Sequence, residues 1–330
     1  MLGKSIYKSV GLEGEISSKG IKKPSGKGVI KSTQKSSDTH KSEVMGGDNG
    51  FKNSKGKRIK YRKILTQIAS LATFGSLVVI VVYIMIKGIP NLKPDLFQMK
   101  YTTQNVSMMP AIITTIYMVV LGLLVSVPIG IFTAIFMAEY LNSQSLFVRI
   151  IILATDTLSA IPSIVYGLFG MIFFVYFLNM KNCLIAGVLT VGIMILPVII
   201  RSSEEAFLNV RRDYRWGSYA LGAGRLRTVF RVVLPAALPG ILSGVILSTG
   251  RIIGESAALI FTLGTSTKLP TSLLDSGRTL SVHMYMLSGE GMYVDQAFAT
   301  AVVIMFLVLI LNGISSFVAN KIAKKSAGTK

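Results

Sequence analysis

Apolar residues in this chain are concentrated in six long runs, separated by polar segments. Each run has about the 20 residues that a helix needs to cross the hydrocarbon core of a bilayer. The pattern therefore predicts an all-α membrane protein with a transmembrane domain over 64–320. The predicted spans are 64–86, 109–138, 150–180, 182–200, 236–264 and 296–320. Pro128 and Pro162 lie inside the second and third runs and predict kinks there.

The two ends of the chain differ from the apolar runs. Residues 1–63 are rich in Gly, Ser and Lys and have no helical or strand period, which predicts a disordered basic tail attracted to anionic lipid. They also lack the apolar centre and cleavage pattern of a secretory signal peptide. Residues 321–330 predict a second, short polar tail.

Composition and charge agree with a membrane protein and predict its orientation. Hydrophobic residues make up 51% of the chain, and its mean hydropathy is +0.59. The chain has 35 Lys and Arg against 15 Asp and Glu, with 16 of the cations before residue 64 and seven between Arg201 and Arg231. The loops predicted on the opposite side of the membrane hold only six Lys and Arg residues. Because cytoplasmic loops carry the excess of Lys and Arg, we expect both termini in the cytoplasm.

Several kinds of site are excluded by the residues present. The single cysteine, Cys183, rules out a disulfide within the chain, and two distant histidines give no metal-ligand spacing. His283 is interpreted as a polar residue of the external loop 265–295. The spans carry no carboxylate pair or nucleophile with a base, which argues against a membrane enzyme. No ATP-binding motif occurs, so we expect no cofactor and no catalytic residue.

The polar segment 203–235 has an internal pattern that a plain connector would lack. Ser202 and Ser203 followed by Glu204 predict a helix start, and Gly222 with Gly224 predict a turn before a second helix that reaches Pro235. Apolar residues recur at helical spacing in both halves. We expect this apolar stripe, which arginines flank, to bury itself in the groove of a partner.

The same segment carries a resemblance to a known family. Gly222, nine intervening residues and the sequence VVLP ending at Leu234 and Pro235 resemble the coupling loop of permease subunits in ABC importers. LGAGRLRTVFRVVLPAALPGILSGVILSTGRIIGESAAL and IPSIVYG further resemble the A-type permeases (PstA) of phosphate-specific ABC importers. The resemblance runs from about residue 107 to 320. It departs at Trp216, Gly217 and Ser218, where the family usually has Glu-Ala-Ala, so this chain lacks the glutamate that contacts the ATPase in the family.

The resemblance implies a fold, a location and a set of partners. It implies the type I (MetI-like) importer architecture with cytoplasmic coupling helices, in the bacterial cell membrane. The implied partners are a second permease (PstC-like), two copies of an ATPase (PstB-like) that binds ATP and Mg²⁺, and an extracytoplasmic phosphate-binding protein (PstS-like), with lipid around them and no nucleic acid. The implied ATPase-coupling residues are Trp216, Gly217, Ser218, Gly222, Ala223, Gly224, Leu234 and Pro235.

Two opposite charges interrupt the fifth apolar run. Arg251 and Glu255 are the only charged residues between Ala236 and Thr267, and an arginine at the centre of a span costs about 2.5–3.5 kcal/mol. On one continuous helix they would lie at i and i+4, so mutual neutralisation is one interpretation. The other is that Arg251 contacts a passing phosphate through its planar guanidinium while Glu255 tunes it. The resemblance places both on the translocation path.

Three more residues are predicted to line that path. Ser248 belongs to a stripe of small or polar residues that also includes Arg251 and Glu255. Ser163 and Tyr166 follow Pro162 at helical spacing, and predict either a pore-lining hinge or a kinked helix that packs through small residues.

Two alternative functions remain open at this level. A permease of the same superfamily for another oxyanion, such as molybdate or sulfate, would share the 203–235 loop. An ATP-independent secondary anion transporter would need no partner ATPase.

Overall fold

A computed structural model describes residues 48–141 and 145–326, and every regular element in these two ranges is helical. The chain divides into two compact units, Met1–Ala72 and Thr73–Lys330. The helices are α1 (Asp48–Gly88), α2 (Met109–Ile135), α3 (Leu146–Ala160), α4 (Ser163–Gly170), α5 (Leu184–Leu208), α6 (Arg212–Ala220), α7 (Arg225–Thr228), α8 (Leu234–Gly254), α9 (Ala257–Thr262), α10 (Leu280–Glu290) and α11 (Val294–Ser326). Wider π-helical turns extend α2 over Phe136–Tyr140, α4 over Met171–Phe177 and α7 over Val229–Val233. The all-α class is confirmed for the described residues.

Five helical segments of the described chain are long and apolar enough to cross a membrane. They are Lys63–Asn91, Met109–Tyr140, Leu184–Leu208, Arg225–Gly254 and Val294–Phe317. The third predicted span is instead a bent pair, α3 and α4 with its π turn, whose axes meet at 101°. Counted as one broken span, this pair gives a sixth crossing.

Helix α5 is the central helix of the second unit. Its most apolar window is 67% buried within the protein, whereas that of the segment Lys63–Asn91 is 0% buried. Helices α2 and α8 pack against α5. Gly130 of α2 approaches it closely, because a β-carbon at Gly130 would lie 2.6 Å from Ile199 Cγ2.

The third span breaks at Pro162, where the sequence predicts only a kink. Proline disfavours helical geometry in the residue before it, and Ile161 accordingly has φ −71° and ψ 129°. The break leaves helical carbonyls without their usual donors, and the Tyr166 hydroxyl donates to one of them, Leu158 O, at 2.7 Å. A hydrogen bond from α4 to the end of α3 therefore stabilises the bend.

The fifth span also breaks, although the sequence predicts one helix over 236–264. Helix α8 ends at Gly254, and Glu255 has φ −76° and ψ 124°. The short helix α9 begins two residues later and packs against α4. The expected continuous stripe through Ser248, Arg251 and Glu255 is therefore wrong beyond Arg251.

Three further boundaries differ from the sequence prediction. Helix α1 includes residues 48–63, which were predicted to be disordered, while residues 1–47 lie outside the described ranges. Helix α5 continues to Leu208 instead of ending at 200, since Ala206 and Phe207 are buried against the end of α2. The predicted loop 265–295 contains helix α10.

Candidate translocation path and coupling surface

Arg251 lies in the last turn of α8 and is partly exposed. Within the described residues its guanidinium makes no hydrogen bond and no ion pair. It lies close enough to Tyr166 of α4 to act on the hydroxyl electrostatically. An arginine that retains five free donors inside an apolar bundle is suited to meet an anion.

Glu255 does not pair with Arg251 in the described structure, contrary to the i, i+4 geometry that a continuous helix would give. Its side chain is buried, and Oε1 accepts the backbone N–H of Ala258 at 3.0 Å. The first N–H groups of a helix have no partner within it and carry partial positive charge. The helix break therefore turns this carboxylate away from Arg251 and towards the start of α9.

The small-residue stripe on α8 is a packing surface up to Ser248. A β-carbon at Gly240 would lie 2.6 Å from Ala206 Cβ, and one at Gly244 would clash with Ser202 Oγ, so α8 and α5 are in close contact here. Ser248 is fully buried, and its hydroxyl has no hydrogen-bond partner among the described residues. Of the residues that we predicted to line the path on α8, only Arg251 keeps exposed surface.

Helix α4 brings Tyr166 towards Arg251. A β-carbon at Gly167 would lie 2.7 Å from Ala258 Cα, so α4 and α9 pack almost backbone to backbone. Tyr166 is 4% exposed and Ser163, the first residue of α4, is partly exposed. The two helix breaks thus flank the region in which Arg251, Tyr166 and Glu255 lie.

The predicted glycine turn of the coupling loop is present between α6 and α7. Gly222 has φ +79°, which favours glycine. The N–H of Gly222 donates to Tyr219 O at 2.9 Å and that of Ala223 to Ser218 O at 3.2 Å, the two bonds of a Schellman motif. The predicted first helix starts at Arg212, however, because residues 202–208 continue α5.

Both arms of the turn contribute to an exposed surface, which we call the coupling surface. It consists of Trp216, Leu221 and Leu226, whose exposed fractions are 69%, 90% and 66%. Gly217 and Gly224 are exposed beside it, and Ala223 is partly exposed. The hydroxyls of Ser218 and Thr228 lie 2.8 Å apart and join the two arms.

The predicted apolar stripe of this loop is only partly available to a partner. Its most apolar members are buried in the chain's own core together with the end of α2, with Leu234 packed against them and Pro235 in the first turn of α8. These buried members are Ala206, Phe207, Val210, Val229 and Val233. A partner therefore meets the coupling surface instead of the whole stripe.

Two residues at the end of α2, which the sequence analysis did not single out, hold this loop. Arg215 Nε donates to Glu139 Oε1 and Oε2 at 3.0 and 3.2 Å, and the Arg225 guanidinium lies 5.4 Å from the centre of the Tyr140 ring. The available signal was a single acidic residue immediately after the apolar run 109–138.

A buried cluster at α10 corrects the interpretation of His283. His283 is fully buried on the helix instead of lying in a loop, and burial together with the Arg278 charge lowers its pKa to about 3. The Arg278 guanidinium lies 4.7 Å from the centre of the Tyr101 ring. The described residues contain no group of His, Cys, Asp and Glu able to hold a metal ion.

Comparison with known proteins identifies the class to which this fold and surface belong. Residues 126–325 match the family described as binding-protein-dependent transport system inner membrane component. The chain belongs to this family and is a multi-pass membrane protein of an ABC transport system.

Individual proteins of known name are similar to this chain in sequence or in fold. A probable ABC transporter permease protein, YqgI, of Bacillus subtilis is 32% identical over 74% of this chain and 88% of its own length. A phosphate transport system permease protein PstA homolog of Mycoplasma pneumoniae is 31% identical over 77% of this chain, which spans only 40% of that longer protein. A bacterial ABC transporter involved in the import of the acidic polysaccharide alginate shares the fold, with 15% identity, a TM-score of 0.54 and coverage of 82% and 98% of the two chains.

Proposed function

We propose that this chain is a permease subunit of an ATP-driven importer of inorganic phosphate. The family match supports the transport role, and the relative named as a phosphate transport permease supports the substrate. The single observation that carries the proposal is Arg251, a partly exposed cation without a hydrogen bond or ion pair among the described residues of an apolar bundle.

The chemistry of Arg251 fits brief contact with phosphate. A guanidinium presents parallel donors that match two oxygens of a phosphate ion. Because no carboxylate occupies these donors, an arriving anion does not have to displace one. Conduction also requires release of the ion. A single cation at the end of α8 binds the anion weakly and does not enclose it.

We assign the chain's remaining exposed features to partners. The coupling surface docks on an ATPase subunit, which binds ATP and Mg²⁺, so this chain itself is not an enzyme and holds no cofactor. A second, PstC-like permease forms the other half of the pathway, two PstB-like ATPases lie on the cytoplasmic side, and a PstS-like binding protein delivers phosphate from outside. Both termini and the 203–235 segment are then cytoplasmic.

Alternating access provides the mechanism. ATP binding draws the two ATPases together and moves the docked α6 and α7 with them, which opens the pathway outward. Hydrolysis allows the pathway to open inward again. Rigid helices with discrete arrangements are suited to such a transition, and we assign its hinges to the helix breaks at Pro162 and Glu255.

Labelled-phosphate uptake by the reconstituted complex tests the proposal. The complex contains this chain, its partner permease and the ATPases in vesicles, supplied with binding protein and ATP. We expect Arg251→Ala to abolish most uptake at unchanged assembly, and Arg149→Ala, an exposed arginine on α3, to leave uptake normal. Normal uptake by Arg251→Ala refutes the role of Arg251. Uptake of molybdate or sulfate instead of phosphate, or uptake without ATP, refutes the assigned function.

A further inference from the structure

Arg215, on the coupling helix α6, reaches three other helix ends or turns. Its Nε and Nη2 donate to the Glu139 carboxylate in the π turn that ends α2. Its Nη2 also donates to Phe207 O at 2.9 Å, in the last turn of α5, and its Nη1 to Val210 O at 2.8 Å. One guanidinium therefore connects α6 to α2 and to the end of α5.

This contact is shielded from solvent, unlike the other ion pairs described. The side chains of Arg215 and Glu139 are 17% and 4% exposed, whereas those of Arg201 and Asp156 are 50% and 59% exposed. A buried ion pair adds little net stability compared with apolar residues of similar size. What it does provide is a fixed geometry, because the planar fork of arginine satisfies its acceptors in only one orientation.

The adjacent residue of the same π turn holds the other arm of the loop. Tyr140 follows Glu139 directly, and its ring faces the guanidinium of Arg225 at the start of α7. Two consecutive residues of α2 thus contact the two arms on either side of the Gly222 turn. Isolated π turns are frequent at functional sites.

We propose that Arg215 and Glu139 form a joint that transmits movement between the coupling surface and the transmembrane helices α2 and α5. Arg215 is a positioning residue, which acts through its contacts and does not touch the transported ion. The inference rests on the proposed function, since it names the path by which ATPase movement reaches the pathway. The coupling surface lies on the same short helix, with Trp216 next to Arg215, so displacement of that surface moves the guanidinium as well.

The physical basis is the number of separate elements held by one rigid group. Coupling between distant sites needs an element with discrete arrangements to which both sites are joined. Helix α6 has only nine residues, so it needs side-chain contacts to transmit its movement to α2. The ion pair and the two carbonyl contacts supply a connection that keeps its geometry when the docked ATPase moves α6.

The test uses the reconstituted complex with binding protein, and measures phosphate imported per ATP hydrolysed. Glu139→Met combined with Arg215→Met removes both charges together and leaves no buried charge without a partner. We expect this double variant to assemble with the ATPase and hydrolyse ATP, while phosphate imported per ATP falls about five- to tenfold. Asp156→Asn, which breaks the exposed pair with Arg201, is the matched control and keeps the wild-type ratio.

Arg215→Lys provides the second measurement, and covers the case in which the double variant fails to assemble. Lysine keeps the charge next to Glu139 but loses the fork that also reaches Phe207 and Val210. We expect a reduced ratio at wild-type assembly. A wild-type ratio in the double variant, or in Arg215→Lys, overturns the joint. If the wild-type complex imports another oxyanion, the proposed function fails, and the same ratio measured with that anion still decides between a joint and a simple structural pair.

Discussion

Two arginines of this protein lie in contrasting surroundings. Arg215 is mostly buried and has acceptors on every side, from the Glu139 carboxylate to two backbone carbonyls. Arg251 is partly exposed at the end of α8, and the described residues offer it neither a hydrogen bond nor an ion pair. The nearest carboxylate in sequence, Glu255, bonds to the backbone of α9 instead.

The difference separates a cation that organises the protein from one that is available to a ligand. Removal of a fully paired buried charge leaves its partner unpaired, so the cost appears in stability. An unpaired charge inside a membrane bundle is itself unfavourable, so its removal is tolerated by the fold and the cost appears in function. The comparison therefore predicts opposite consequences for the two arginines.

The largest effect is expected for Arg215→Met alone. The change leaves Glu139 buried without its partner, which we expect to lower the free energy of unfolding by about 3–5 kcal/mol. Denaturant unfolding of the purified chain in detergent measures it. Arg201→Met removes two exposed ion pairs, those with Asp156 and Glu205, and should cost only about 1 kcal/mol. Equal losses in the two variants would contradict the comparison.

Arg251→Ala should leave stability at or above that of the wild type while impairing transport. A hydrogen bond to a charged group contributes about 1.5–3 kcal/mol, so we expect uptake to fall by about tenfold or more. Uptake and denaturant unfolding are measured on the same preparation. A variant that unfolds more easily than the wild type would place Arg251 in the same group as Arg215.

His283 adds a buried group that is kept neutral, and predicts a dependence on pH. Its folded-state pKa of about 3 lies below the ordinary histidine value of about 6.5, so the unfolded chain takes up a proton first as the pH falls. Stability is therefore fully present above about pH 6.5 and declines by about 2 kcal/mol by about pH 5.

Thermal unfolding in detergent at neutral and at mildly acidic pH checks this dependence, with His283→Gln as the comparison. The variant lacks the titrating ring and should lose less stability on acidification. A wild-type profile that matches the variant would show that the buried imidazole does not set the acid response.

The smallest effect is expected at the turn that presents the coupling surface. Gly222→Ala forces a side chain into a left-handed backbone conformation, which costs about 1–2 kcal/mol. No neighbour lies within 4 Å of the added carbon, so the penalty is conformational and not a steric clash. Gly217→Ala, a helical glycine with equally open surroundings, should be neutral or slightly stabilising. Denaturant unfolding measures both variants. An equal loss of stability in the two would show that side-chain contacts, and not the backbone conformation at Gly222, are responsible.

The sequence predicted the elements whose signal is local and repeated. Long apolar runs identified the spans, and Gly222 identified the turn, because each follows from one short stretch of chain. Pairings between distant segments were not predictable in this way. Glu139 and Arg215 are 76 residues apart, and neither local sequence contains a pattern that predicts the pairing.

The helix breaks show a different limit. Pro162 predicted a disturbance, but its size depends on how α4 packs against α9, which is a tertiary contact. The break at Glu255 has no proline signal, and Gly254 directly before it is only a weak one, because a single glycine is tolerated inside a helix. The sequence therefore identified Arg251 and Glu255 as candidates, but could not show that the backbone separates them.

The break at Glu255 has a consequence for the field around Arg251. Because α8 stops at Gly254, Arg251 belongs to its last turn, where the unsatisfied carbonyls of a helix carry about half of a negative elementary charge. Glu255 lies where the first amides of the next segment carry the opposite partial charge. The peptide dipoles, which are spread over several atoms and stay fixed, thus offset part of the cost of each charge. Arg251 therefore needs no counter-ion that an arriving anion would first have to displace.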